Sequence, residues 1–381
     1  MKNNKTMLSL AVAAVSMGIT ALASAEITLY DKQGTTFSAD GHFNAFFVQT
    51  ETDLTDATIA ANTATNTALG NNALPVGDEK QSRVRMGFLP NWIGFNVTKE
   101  IDTLKLGGRS SFWVTINDGH NSVTDTAIDV RQFYGTVDGS FGQVLFGKDF
   151  GLYGRTNIFN DELLLGTGTP MPNTGGVTFG NISTGYPYAT PVAQITYRTP
   201  VKNGFQLALG VMDPDSGESV ESNQNQSARF EGELTYNTDF EGGKFSAWLG
   251  MASGESATEG VDATGVAYGA RVSSGGFQLT ASGFDQEGIS PVLADSTLSA
   301  ETDSDGYLLQ ASYSANGHRF VVSHGETETG SANAIQERET NAIAYFYDVN
   351  SNLKLIAEYD AFEDESGNAI DQLAFGAALS W

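Results

Sequence analysis

The sequence predicts an all-β chain, a transmembrane antiparallel β-barrel of 16 strands with an inward-folded third extracellular loop. Three observations carry that prediction. A basic and then apolar leader ends in the small-residue site Ala23-Ser24-Ala25. Behind it, run after run alternates apolar with small or polar side chains. The final run, Asp371 to Trp381, places Leu373, Phe375, Ala377, Leu379 and Trp381 on one face and reaches the last residue. In lipid every strand edge must be paired, so this last strand is expected to close on the first.

Residues 1–25 read as a cleaved signal peptide, with Lys2 and Lys5 ahead of an apolar stretch from Met7 to about Ile19, leaving 26–381 as the barrel domain. No later stretch approaches the roughly 18 unbroken apolar residues that a spanning helix needs. Of the 20 basic residues two fall in the leader, which leaves 18 against 45 acidic ones and a net charge of −27. That excludes a general nucleic-acid binder, which needs a basic face. With no cysteine, stability must come from the sheet rather than from disulfides. The 43 Gly, 23 Phe and 13 Tyr suit tight turns and aromatic girdles. A secreted β-sandwich would share the leader, but its strands run to about six residues, whereas these runs reach about nine to eleven.

Strands are expected near 36–50, 81–99, 104–116, 129–138, 143–148, 193–199, 205–213, 229–238, 244–253, 266–273, 277–286, 305–315, 318–327, 339–348, 352–361 and 369–381. Sixteen is an even number, as a single-chain bacterial barrel requires. Phe205, Leu207, Leu209 and Val211 alternate with Gln206, Ala208 and Gly210; Leu353, Leu355, Ala357 and Tyr359 alternate with Lys354, Ile356 and Glu358. Alternation alone cannot say which face is inside. Size can: a 16-stranded barrel is too wide for side chains to fill, so its inside is wet and its apolar face meets lipid.

Short turns such as Ser274-Gly275-Gly276, Asn316-Gly317 and Val349-Asn350-Ser351 are expected on the periplasmic side, Asn-Gly suiting a type I′ hairpin. The long connections, near 51–80, 117–128, 149–192, 214–228, 254–265, 287–304, 328–338 and 362–368, are then extracellular and carry much of the acid, including Asp213, Asp215, Glu218, Glu255, Asp262, Glu287, Asp303, Glu326, Glu328 and Glu363. No cofactor is expected. Hard carboxylate oxygens do suit Ca²⁺ or Mg²⁺ bridging these loops to lipopolysaccharide phosphates.

One connection stands apart. Residues 149–192 make a loop of about forty residues, far longer than an ordinary connection. Phe150, Leu152, Tyr153, Ile158, Phe159, Leu163, Leu164 and Leu165 give it enough apolar surface to pack, so it is expected to fold into the barrel. Arg83 and Arg85 are two apart and share a face, and a lipid-facing Arg near mid-depth costs about 2–4 kcal/mol, so that face should be the lumen. With Ile195 and Tyr197 outward, Arg198 and Thr196 point inward by the same argument. Leu89-Pro90-Asn91-Trp92 interrupts the second strand, where a bulge or edge kink is expected because Pro cannot donate to a ladder.

Several stretches together resemble the general porins of Gram-negative outer membranes. They are Ala25-Glu26-Ile27-Thr28-Leu29-Tyr30, the run Ile128-Asp129-Val130-Arg131-Gln132-Phe133-Tyr134-Gly135, the turn and strand from Gly139 to Lys148, Thr196-Tyr197-Arg198, and the terminal aromatic. The resemblance spans essentially the whole mature chain. It implies a homotrimer in the bacterial outer membrane, assembled through its C-terminal strand by the barrel assembly machinery, with the third loop narrowing a pore. It also implies a basic wall facing acidic loop residues: Arg131 and Arg198, with Arg83, Arg85 and Lys148, across from Asp161, Glu162 and Asp149. His42 falls near a first-strand position that is often basic in relatives. The chain departs from the family at the loop tip, where Asn160-Asp161-Glu162-Leu163-Leu164-Leu165-Gly166 replaces the familiar Pro-Glu-Phe-Gly-Gly type.

The function expected is a water-filled channel for passive diffusion of small hydrophilic solutes and ions. The acidic exterior would concentrate cations while the wall cluster could favour anions; the reading leans to cations. An alternative in the same architecture is a substrate-selective channel for sugars or carboxylates, with Trp113, Tyr153, Phe159, Tyr186 and Tyr188 as a slide, although those aromatics fit loop packing better. An enzyme is disfavoured. No nucleophile elbow, zinc-binding His-Glu-x-x-His or paired-Cys motif occurs, and Ser323 and His324, as strand neighbours, face opposite sides. The less greasy face carrying Gln132 and Tyr134 is the expected subunit contact.

Overall fold

The computed structural model describes residues 26–69, 74–117, 128–169, 178–213, 227–256, 260–298, 302–330 and 337–381. The expected leader, 1–25, lies outside them. The chain opens with a hairpin of β1 (Ile27–Lys32) and β2 (Thr35–Asp53), followed by helix α1 (Asp56–Leu69) in the first long connection. Next come β3 (Glu79–Arg85), β4 (Asn91–Ile101), β5 (Leu104–Val114), β6 (Asp129–Gly139) and β7 (Gly142–Phe150). Helix α2 (Arg155–Phe159) interrupts the segment before β8 (Pro191–Arg198) and β9 (Phe205–Met212). A meander completes the chain: β10 (Arg229–Phe240), β11 (Gly243–Glu255), β12 (Asp262–Ser274), β13 (Phe277–Glu287), β14 (Asp303–Ala315), β15 (His318–Thr329), β16 (Glu337–Asp348), β17 (Leu353–Asp364) and β18 (Ala369–Ser380).

Each strand pairs antiparallel with its neighbours, and β18 closes the ring on β2 from Ala369 opposite Asp53 to Ser380 opposite His42. Below that point β1 takes over the same edge of β2. The last residue seals the junction: Trp381 and Gly41 exchange backbone hydrogen bonds of 2.9 and 3.1 Å. Gly41 is needed there, since a Cβ at that position would stand 2.5 Å from the Trp381 ring. With β3 and β4 counted as one position beside β2, and β1 counted with β18, the eighteen segments make sixteen wall positions. These correspond one for one to the sixteen alternating runs. Only β1 escapes the alternation, because its six residues are all exposed and show no buried face.

The two faces differ as the membrane requires. Phe205, Leu207, Leu209 and Val211 are exposed, while Ala208 between them and Met212 just after them are buried. At the short-turn ends, aromatic rings pair across neighbouring strands, Phe205 with Tyr236 (4.4 Å), Phe277 with Tyr313 (4.6 Å) and His318 with Tyr347 (4.8 Å), forming a girdle. The Asn316-Gly317 turn has positive φ at both residues, 52° and 82°, as a type I′ hairpin demands.

Two expectations are corrected. Glu255, Asp262, Glu287, Asp303, Glu326, Glu328, Glu363 and Asp364, expected in loops, stand on strands that run higher than the apolar alternation suggests. Above the lipid both faces of a strand are hydrated, so period-2 patterning no longer marks it. Asp215 and Glu218 lie outside the described residues. The interruption at Pro90 is larger than a bulge: Arg85 pairs with Phe46 and Trp92 with His42, so six residues, 86–91, stand against three, 43–45.

Candidate functional site: the barrel interior

Local sequence sets the path of the segment after β7. Gly154, at φ 72°, turns the chain into α2, and Asn160-Asp161-Glu162 leaves it. The segment is then tied to inward-facing side chains of successive strands. Glu231 on β10 accepts the backbone N–H of Leu152 (2.5 Å) and Tyr153 (3.0 Å) and pairs with Arg229. Glu233 accepts from Thr156, and Trp248 on β11 donates to Asn157 (2.7 Å). Glu162 receives Arg271 on β12 (3.0 Å) and Arg319 on β15 (2.8 Å), with further donors from Gln278 and Ser312. Farther along, Glu358 on β17 accepts Thr167 N–H (3.0 Å) and Gly168 N–H (2.6 Å). These partners alternate with exposed Val272, Phe320 and Tyr359, which fixes their face as the one away from lipid.

The chemistry explains why so many charges sit together. A carboxylate removed from water must be paired and hydrogen-bonded, and each charge-assisted bond contributes about 1.5–3 kcal/mol. Asp161 meets that demand with Gln310 (2.7 Å), Asn181 (3.0 Å) and the Tyr186 hydroxyl (2.5 Å). Burial, reinforced by the Asp161 carboxylate, raises the Tyr186 phenol well above the ordinary tyrosine range. The sequence Gly166-Thr167-Gly168, which resembles a flexible tip, is instead a pair of backbone donors for Glu358.

On the other side of the lumen, near the short turns, lies a cavity of about 820 Å³. Arg109, Tyr134, Gln143, Asp149, Arg155 and Arg198 line it. Arg109 pairs with Asp40 (2.6 Å) and is braced by Gln132 (2.8 Å). Arg155 stands 3.7 Å from Asp149 and stacks over Phe159 at 5.5 Å. Arg198 makes a long hydrogen bond to Gln143 (3.4 Å) and no ion pair among the described residues. A smaller cavity of about 350 Å³ adjoins Glu162, Lys244, Arg271 and Arg319.

The residues singled out from sequence fall in three places. Arg83 and Arg85 share a face opposite Val84, which is 64% exposed, and Arg85 reaches Gln81 (3.2 Å). Arg131 bonds Asp129 (2.7 Å) and Tyr188 (3.0 Å) and lies over the Trp113 ring, so it packs against the returning end of the segment and takes Asp129, rather than Asp161 or Glu162, as its carboxylate partner. Asp149 is buried and accepts from Gln132 (2.9 Å). His42 is fully buried, stacked on Trp92 and bonded to Asn44 (3.0 Å) and Ser380 (2.8 Å).

Lys148 is a correction. Two residues from exposed Phe146, it shares that outward face, between Phe133 and Ala193, and does not line the lumen. Gln132 and Tyr134 are the converse correction: they point inward, while Phe133 between them is 61% exposed, so they make no subunit contact. Arg109, Arg155, Arg271 and Arg319 were not singled out. The cost of a lipid-facing Arg turns two of them inward from sequence alone, since Arg271 sits between Ala270 and Val272, and Arg319 beside Phe320, on strands whose apolar face is outward.

A closed ring of sixteen positions, apolar outside and charged within, defines a membrane-spanning channel barrel. The chain belongs to the Gram-negative porins: the model of that family matches residues 9–367. It is an outer-membrane channel for passive diffusion. Among solved structures it is similar to the anion-selective porin from Comamonas acidovorans, at 15% identity and TM-score 0.65, over 91% of this chain and all of that one. It is also similar to the outer membrane channel DcaP of Acinetobacter baumannii, at 15% identity and TM-score 0.62, over 93% and 100% of the two chains. The trimer form of OmpT from Vibrio cholerae matches at 14% identity and TM-score 0.56, over 92% and 100%. No curated protein sequence matches the chain.

Proposed function

We propose that this porin is a general diffusion channel for small hydrophilic solutes and ions, in which the segment 150–190 narrows the lumen and acts by position and charge rather than by chemistry. The observation that carries this reading is the interior itself. Its cavities carry arginine and carboxylate side chains, while of the aromatics that could have formed a sugar slide Trp113, Tyr153 and Tyr186 are fully buried in packing, Tyr188 is held by Arg131, and only Phe159, partly buried, borders a cavity. Family membership supports a conduit without catalysis. The expected signal peptide keeps its place in the proposal as the export signal.

A homotrimer is part of the reading, supported by the likeness to a porin solved as a trimer. So is recognition of β18 by the assembly machinery, since its end seals the ring at Gly41. Among the described residues no group of three or more metal-ligating side chains could hold an ion. Calcium or magnesium at the acidic rim would share its oxygen shell between loop carboxylates and lipopolysaccharide phosphates. Planar-bilayer recording of the purified protein tests the function: ohmic steps that no single solute saturates support general diffusion, whereas block at low concentration by one sugar or carboxylate would move the assignment to a selective channel.

A further inference from the structure

Where β3 gives way to β4, the extra residues of Met86–Pro90 have to go somewhere, and their partners show where. Asn44 on β2 clamps both ends of the detour. Its side-chain oxygen accepts Gly87 N–H (2.5 Å), and its amide donates to the Leu89 carbonyl (2.7 Å). Asn117 accepts Met86 N–H (2.8 Å). The tip then reaches the segment 150–190: Phe88 N–H donates to the Gly166 carbonyl at 3.0 Å. Gly87 lies so close to that carbonyl that a Cβ would stand 2.5 Å from it, so only glycine fits.

The side chains continue the contact. Phe88 belongs to an apolar cluster that also holds Ile158, Leu164 and Tyr186 from the segment and Phe284 and Leu308 from β13 and β14, on the far wall. Leu89, only partly buried, packs against that cluster and two others, one reaching β16–β18 and one holding Trp92 and Trp113. A continuous apolar bridge thus crosses the barrel from the β3–β4 wall to β13. Water and ions cannot pass through apolar packing, so the bridge divides the cross-section and leaves transport to the polar spaces beside it.

We infer that Met86–Pro90 is a second pore-narrowing strap, in which Phe88 and Leu89 set the size of the passage by abutting the segment 150–190. The inference rests on the channel reading above. Since neither residue is charged, the strap governs size and leaves ion preference to the arginines.

The test is single-channel conductance of the full-length protein in planar bilayers, for the wild type, for the Phe88→Ala/Leu89→Ala variant, and for Leu89→Cys before and after a bulky thiol reagent. The native chain has no cysteine, so labelling is confined to that position. The shaved variant should conduct roughly 1.5- to 2-fold more with an unchanged reversal potential, because the conductance of a wet pore follows its narrowest cross-section. The reagent should lower the conductance of Leu89→Cys, and that result decides the matter if the shaved variant does not fold. A wild type that conducts, with a folded shaved variant of equal conductance and a cysteine variant indifferent to the reagent, overturns the strap but not the channel. A wild type with no conductance overturns both.

Discussion

On the β10–β15 side of the lumen Arg271 and Arg319 both hold Glu162, at 3.0 and 2.8 Å, whereas on the β4–β8 side, where Arg109 alone of the cavity's arginines is tightly paired, with Asp40 at 2.6 Å, Arg198 reaches Gln143 at 3.4 Å and Arg155 stands 3.7 Å from Asp149. The same residue type does different work in the two places. Where guanidinium and carboxylate meet directly, their fields cancel at short range and the gain is mechanical: the segment is bolted to the wall. Where the match is loose, the charge is left to act on whatever enters the cavity. A basic cluster inside a barrel is thus not by itself a selectivity filter. The pairing decides.

The largest expected effect breaks the bolted side. Glu162→Ala strands two guanidiniums, and unfolding in detergent with denaturant should show a loss of about 3 kcal/mol, the low end for a broken buried pair because both arginines are partly exposed. An unchanged unfolding midpoint would contradict the anchoring role. Next, Tyr186→Phe removes a donor from buried Asp161 and should cost about 1.5 kcal/mol on the same assay. A pH series sharpens that result. The Tyr186 phenol is raised in the folded state above its ordinary value of 10.0, so its contribution is fully present below pH 10 and is lost as pH rises beyond it. The alkaline loss should therefore be smaller in Tyr186→Phe than in the native protein, and equal slopes would count against it.

On the cavity side the expectation is reversed. Arg198→Ala should leave stability within about 0.5 kcal/mol of the native protein. A unit charge about 5 Å away in water is worth about 0.8 kcal/mol, or roughly fourfold in local anion concentration, so the change should appear in ion preference.

Much of this architecture is legible in the sequence, and for a physical reason. Lipid forces a strict period of two on every wall strand, so Phe205 to Val211 or Leu353 to Tyr359 announce themselves, and the cost of a lipid-facing Arg turns Arg83, Arg85 and Arg198 inward. What escapes is set by contacts between distant residues. Glu162 lies 109 residues from Arg271 and 157 from Arg319, and nothing local in Asn160-Asp161-Glu162 names those partners. Pro90 signals an interruption, but the inward course of Met86–Pro90 depends on Asn44 and Gly166. Lys148 shows the opposite failure: family position suggested the lumen, while simple alternation from Phe146 already pointed outward.

The reversal potential under a salt gradient, recorded for the native protein, Arg198→Ala and Arg319→Ala, tests the division of labour most directly. Arg198→Ala should shift clearly toward cations, while Arg319→Ala, whose charge is engaged by Glu162, shifts much less. Equal shifts in the two variants, or none in Arg198→Ala, would mean that pairing with a carboxylate does not decide which arginines act on passing ions.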